Sequence, residues 1–473
     1  MATTIKQELL YNLAPVGQQI IFTIANDPIV NSNFNVKFSA AVHISAGAIN
    51  LSNNNDLIGT FKTTPNGEGV GMFDLQPILE TFLKPDHEAY NESFLQSAEY
   101  KGTNVFTKQF PIHLVDKYSL SENSITHFGV NFYVEYSTTP LGPLTSDINN
   151  PAMSDQYTII NGVVQDDDVI DIFTASAIHS LGFNLYPYYL SGPTKSFLTD
   201  SPTTQYAALG DYGTFPFLNI YAAGSTPALG SITISYRDSA GSSLGTDAVP
   251  YSFANGGYPP LGFRANPRLN YFGVFPGNLE NWSSNFTTAV AGGLDYYTVT
   301  AVGVGSHPVI LSKTYTIKII CPIKGYTPIR LTWLNKWGGW DYYTFSMKST
   351  RTIDSKRIPY NQESGTWDES TFKIKGYKGG KKNFRVNSTE KIKINTDFVA
   401  EEEGVWFEQL TSSVEVYVLE SFQSDGSFSS YNTYVQPVTL TTSSYTRKTI
   451  ANDKLMQYTF EIEKSKMKRT QAV

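Results

Sequence analysis

Alternation of apolar and polar residues with a period of two constrains this chain more than any other feature of its sequence. It is plainest in "IRLTWLNKWGGWDYYTFSMKS", Ile329 to Ser349. In an extended strand Ile329, Leu331 and Trp333 share one face, with Arg330 and Thr332 on the other; a helix would turn Leu331 away from its two neighbours. The second half alternates too, with Tyr343, Phe345 and Met347 opposite Tyr342, Thr344 and Ser346. Between the halves, Asn335, Gly338 and Gly339 tolerate the positive φ that a reversing chain needs. A β-hairpin is predicted.

Three of the six tryptophans fall in this hairpin. Trp333 alternates with its strand neighbours and is expected in the core. Trp337 and Trp340 ride beside the turn, where strand geometry no longer dictates their direction. They are candidate interface or ligand contacts, because large aromatics at exposed tips often anchor binding; the alternative is that they fold back over their own hairpin.

The same alternation recurs in short runs along all 473 residues, such as "FNVKFSAAVHI", "THFGVNFYVEYST", "SITISYRD", "YYTVTAV" and "KLMQYTFEIEKS". Aromatics make up 14% of the chain and charged residues 16%, against roughly 25% charged in an average globular protein, which favours half-buried strands. The predicted fold class is mainly β: several domains of antiparallel β-sandwich type with a few short helices. Length suggests about three domains. The expected division is 1–187, with one short helix at "FDLQPILETFL"; 188–312, rich in Gly, Ser and Pro, with long loops; and 313–473, with one helix at "DFVAEEEGVWFEQLTSS". In the first helix Phe73, Ile78, Leu79 and Phe82 form the apolar stripe and Asp74 is the candidate cap. In the second, Phe398, Trp406, Phe407 and Leu410 face a core, and Glu401, Glu402 and Glu403 suit the positive end of the helix dipole.

Net charge is −7, unevenly spread. Residues 1–320 hold 13 Lys and Arg against 25 Asp and Glu, a net of −12; residues 321–473 hold 22 against 17, a net of +5. The basic residues concentrate in "STFKIKGYKGGKKNFRVNSTEKIKIN", from Lys373 to Lys393. Their spacing of two places many of them on outer strand faces, solvated or turned to a protein, where they also discourage edge pairing. A phosphate-binding stripe is the competing reading, and the acidic balance of the whole chain argues against nucleic acid as partner. Asp166, Asp167, Asp168 and Asp171 lack the Gly and terminal Glu of a calcium loop and read as a solvated turn.

No motif carries catalytic chemistry. GxGxxG, GxxxxGK[ST] and GxSxG are missing in any fitting context, and His43, His87, His113, His127, His179 and His307 are scattered singly without HExxH. Three consecutive carboxylates on a helix diverge, so Glu401 to Glu403 cannot converge on one atom. No enzyme activity, cofactor or metal is expected. The single cysteine, Cys321, excludes a disulfide framework and reads as a buried thiol in "YTIKIIC". No secretory signal or membrane span is predicted, so synthesis in the cytosol with no membrane partner is expected.

Together, "LTWLNKWGGWDYYTF", "SFLTDSPTTQYAALGDYGTFPFLN" with the following "FPGNLENW", "FVAEEEGVWFEQLTSSVEVYV" and "NDKLMQYTFEIEKS" resemble a family of uncharacterised virion proteins of tailed bacteriophages that infect Bacteroidetes-type hosts. The N-terminal "FNVKFSAAVHI" and "FKTTPNGEGVGMFDLQPILETFL" fit the same pattern, so the resemblance spans most of the chain. It implies a virion structural protein assembled in the host cytoplasm, at the distal tail or baseplate, forming a homo-oligomeric ring with other virion proteins as partners. The alternative is a carbohydrate-binding receptor protein or fibre in which Trp337 and Trp340 stack on a host surface glycan.

Overall fold

The computed structural model describes residues 3–45, 49–52, 54–87, 89–91, 108–109, 117–121, 123–175, 178–218, 229–251, 269–304, 309–320, 326–366, 370–419, 435–442, 444–446 and 456–469. The fold is mainly β, with several sheets rich in antiparallel pairs and a few short helices. The chain divides into two compact units. Unit 1 comprises residues 1–320 with 334–341, and unit 2 comprises 321–333 with 342–473.

Unit 1 contains a sandwich. One sheet runs Ile170–Ala175, Ile178–Phe183, Thr4–Leu9, Ile21–Ala25, Val70–Asp74; the other is built on the long antiparallel pair Phe34–Ser45 and Ile125–Ser137. Their facing side chains make one core, in which Phe22 lies 5.5 Å from Phe132 and 5.9 Å from Tyr157, ring to ring. Such offset and edge-on pairs add to the stabilisation from burial alone. Among the described residues, unit 1 holds two further five-stranded sheets. In one, Tyr296–Gly303 alternates half-buried and buried residues along its whole length, as its sequence predicts. In the other, Leu269–Gly273 pairs with Thr214–Phe217 on one side and Tyr118–Ser121 on the other.

That last sheet takes strands from both sides of the boundary expected at 187/188, which lies inside unit 1. Likewise Tyr315–Ile319, expected to open the C-terminal region, pairs with Tyr296–Gly303 and Thr204–Ala207 in unit 1. Local composition cannot register such pairings, because a strand's partner is chosen by the faces it must cover.

Among the described residues, unit 2 is built on a seven-stranded sheet in the order Trp340–Phe345, Ile329–Leu334, Val416–Leu419, Val435–Leu440, Thr459–Lys464, Gly380–Asn395, Thr350–Gln362. The helix Glu401–Ser412 covers it with Trp406, Phe407 and Leu410. Its start is held by Glu403, whose carboxylate accepts the Ala400 backbone N–H at 2.7 Å. Phe398, expected in the core, is exposed because it precedes the helix and falls outside its phase. Phe82 is exposed as well: the segment predicted as one helix is a single α turn, Gln76–Leu79, followed by a 3₁₀ turn whose tighter winding rotates Phe82 away from Leu79. Asp74, the expected cap, stands one residue before the N-cap position, Leu75, which makes no side-chain cap; its carboxylate accepts the Gln76 N–H at 3.1 Å.

Candidate functional site

The predicted hairpin forms, and its tryptophans are buried without exception. Trp333 lies against Trp406, with ring centroids 4.9 Å apart, inside the unit 2 core. Both faces of its strand are covered: Arg330 and Thr332 are buried too, against the outward placement expected from alternation. Arg330 is accommodated by donating to the Thr344 hydroxyl at 2.8 Å and by lying over the Tyr342 ring.

The hairpin tip, Leu334–Asp341, belongs to unit 1. Trp337 and Trp340 are 0% exposed, so the expected aromatic platform at the turn is not present on the surface. Trp337 stacks on Phe183 at 5.2 Å, packs on Tyr188 at 5.0 Å and donates its indole N–H to Asp200 at 3.2 Å. Lys336 spans Asp168 and Asp200, 3.2 and 3.5 Å away, with its ammonium over the Trp337 ring. Burial and the Asp200 carboxylate push the Tyr188 hydroxyl well above the usual tyrosine range.

Asn335 holds the turn. Its side-chain carbonyl accepts the N–H groups of Trp337 and Gly339, and its amide donates to Leu198 O and Asp341 Oδ1, all within 3.0 Å. Gly338 has φ +81, and a Cβ there would meet Asn161 O at 2.5 Å. The sequence signal for a turn was therefore right, but the turn serves as an internal anchor, not as a contact surface.

The exposed feature lies elsewhere, in the lysine-rich segment. Thr350–Gln362 and Gly380–Asn395 pair antiparallel over their length, yet Gly380–Asn395 meets Thr459–Lys464 only from Lys391 to Asn395. Among the described residues, and apart from a bridge between Ser388 and Lys468, the distal stretch is a two-stranded ribbon, 355–362 against 380–387. At a strand rise near 3.3 Å it extends about 25 Å beyond its described neighbours. Every residue from Thr350 to Asn361 is exposed, whichever way its side chain points. The unit 2 core takes Ile392 and Ile394 from the root of this arm and no described residue beyond them.

At the root, Glu390 is buried and receives Arg351 at 3.0 Å, Lys468 and, more distantly, Lys464. The Lys468 hydrogen bond, aided by the other two cations, holds its carboxyl below the usual range. Further out, the arm carries exposed Ile358, Tyr360, Phe372, Ile374, Tyr377 and Phe384, interleaved with Lys373, Lys375, Lys381 and Lys382. Phe384 is an extra residue opposite the Ile358–Pro359 step, a bulge that twists the ribbon. The expectation of lysines on an outer strand face holds for Lys381, Lys382 and Lys393, whereas Lys373, Lys375 and Lys378 lie in the connection between the strands. Sequence reading missed the arm itself; the only available signal was the aromatic and aliphatic interleaving of the lysine run.

Among the described residues no group of three His, Cys, Asp or Glu is placed to hold a metal ion, and no helix is long and apolar enough to cross a membrane. The Cys321 expectation falls outside the described residues. Of the four aspartates read as a solvated turn, Asp166 and Asp167 are exposed, Asp168 pairs with Lys336, and Asp171 accepts the Tyr11 hydroxyl at 2.5 Å, a bond that pushes the phenol up to about 12.

No protein-family model and no curated protein matches the chain. Among solved structures it is similar to trypsin-activated alpha-2-macroglobulin from Escherichia coli, with 9% identity, 88% of this chain and 30% of that chain covered, and a TM-score of 0.14. A Salmonella alpha-2-macroglobulin reacted with methylamine gives 9% identity, 98% and 27% coverage, and again a TM-score of 0.14. The chain thus spans less than a third of the length of these proteins, and likeness at this level carries no argument.

Proposed function

We propose that this chain is a structural protein of a tailed-phage virion, working by protein–protein assembly at the distal tail or baseplate. The observation that supports assembly is the arm. An isolated two-stranded ribbon is marginal in water, and this one, exposed on both faces, carries with its connection six large apolar side chains that the unit 2 core does not use. Surfaces of that kind are retained where a partner covers them. The virion itself is suggested by the sequence resemblance, and the glycan-binding alternative has no aromatic platform in this hairpin now that Trp337 and Trp340 lie inside.

The test is to probe purified phage particles with antibody against this chain and to locate it by cryo-EM. Density for the two units at the tail tip is the expected result. A chain found in infected cells but missing from purified particles would overturn the reading.

A further inference from the structure

The arm is basic as well as apolar. Between Ser355 and Ser388 lie Lys356, Arg357, Lys373, Lys375, Lys378, Lys381, Lys382 and Arg385 against Glu363, Asp368 and Glu369, a net of +5. Residues 1–320 carry −12. A partner for this arm should present exposed apolar side chains bordered by carboxylates, and unit 1 has such a place. The strand Ile170–Ala175 ends its sheet, paired among the described residues only with Ile178–Phe183. It exposes Ile172 at 78% and Phe173 at 55%, with Val169 at 75% just before it and exposed Asp166 and Asp167 beside it. No Lys or Arg occurs from Lys117 to Lys195, exclusive of both ends.

The arm is exposed in unit 2 and the edge in unit 1, and their charges and apolar side chains complement each other. We propose that the arm of one copy docks on the Ile170–Ala175 edge of a second copy. Side chains drive the contact: Ile358, Tyr360 and Phe384 cover Ile172 and Phe173, while Lys381, Lys382 and Arg385 face Asp166 and Asp167. Backbone strand addition is disfavoured on Thr350–Gln362, where Pro359 supplies no N–H, and on Gly380–Asn395, where the bulge at Phe384 distorts the ladder. Because arm and acceptor are different patches, the contact is heterologous and propagates from copy to copy, closing into a ring if the rotation allows. This inference rests on the assembly reading above and specifies its partner.

Three variants test it, all at exposed or half-exposed positions: Lys381→Glu with Lys382→Glu and Arg385→Glu; Asp166→Lys with Asp167→Lys; and the five changes combined. Association of the full chain is followed by analytical ultracentrifugation at low and high salt, with thermal melts as the folding control. The wild type should self-associate, more weakly at high salt. Each charge reversal alone should weaken association by about tenfold or more, and the combined variant should regain it, because complementarity returns with the signs exchanged. A wild type that stays monomeric overturns self-docking and leaves the virion reading to the particle experiment. Wild-type assembly that neither reversal weakens, or a combined variant no better than the single sets, overturns the assigned surfaces while assembly stands. Loss of duplex-DNA retention by the arm variant with unchanged assembly would assign the arm to phosphates and overturn the proposal.

Discussion

The indole N–H of Trp340 donates to the backbone carbonyl of Asp86, 3.1 Å away and 254 residues earlier in the chain. Asp86 is itself buried, with its carboxylate receiving the hydroxyls of Ser124 at 2.5 Å and Tyr271 at 2.7 Å. A residue at the tip of a short turn thus completes a polar site assembled from three remote segments of unit 1.

Replacing the tip tryptophans should therefore damage folding as much as replacing the core one. Trp337→Ala and Trp340→Ala are each expected to cost on the order of 3 to 5 kcal/mol, like Trp333→Ala, since all three remove a fully buried ring. Trp340→Phe should cost roughly 1 to 3 kcal/mol for the lost hydrogen bond. Denaturant unfolding of each variant checks this; a Trp337→Ala, Trp340→Ala pair that unfolds like wild type would return these residues to the surface.

The turn itself should be equally intolerant. Asn335→Asp keeps size but replaces the amide donor with an oxygen facing Leu198 O and Asp341 Oδ1, so it should destabilise by about 2 kcal/mol or more. Gly338→Ala combines a strained left-handed φ with a backbone clash and is expected to lower the melting temperature further than Gly293→Ala, where φ is also positive but no atom lies within 4 Å of a Cβ. Equal effects at the two glycines would show that the Asn161 contact does not matter.

Acid should weaken unit 1 through His127. Its ring is fully buried with Nδ1 on the Thr158 hydroxyl at 2.8 Å, and burial lowers its pKa to about 4. The unfolded chain takes up this proton near pH 6.5 and the folded one only near pH 4, so the unfolded state holds more protons between those values. Stability is then lost as pH falls through that window, by about 3 kcal/mol in all. NMR of the His127 ring should show no titration between pH 7.5 and 5.5; a midpoint near 6.5 would contradict the buried neutral state.

The arm should divide energetically at its root. Glu390→Gln removes a buried carboxylate from three cations and should cost about 1.5 to 3 kcal/mol at pH 7. Because the folded pKa is depressed, this contribution is present above the unfolded value near 4.5 and is lost as pH falls through the folded one, and the variant should lose that part of the acid sensitivity. Tyr360→Ala and Tyr377→Ala, far from any core, should change stability by less than about 0.5 kcal/mol. Melting curves recorded from pH 3 to 7 compare the three.

What the sequence determined by itself is the class of local structure. Alternation at Ile329, Leu331 and Trp333 and along Tyr296–Gly303 marks strands because a pleated chain turns successive side chains to opposite faces, and that rule needs only neighbours. Asn335 with Gly338 marks the turn, and the apolar spacing of Trp406, Phe407 and Leu410 marks the covering helix, for equally local reasons. Tertiary structure alone decided what those elements face. Trp337 and Trp340 are buried because Phe183, Tyr188 and the Asp86 carbonyl come to them from more than a hundred residues away, and no spacing within the hairpin encodes that approach. The arm shows the converse: apolar residues fall at alternate positions both in its buried root, Ile392 and Ile394, and further out, Phe384 and Val386, and among the described residues the length of the neighbouring strand Thr459–Lys464 marks where the sheet gives way to the two-stranded ribbon.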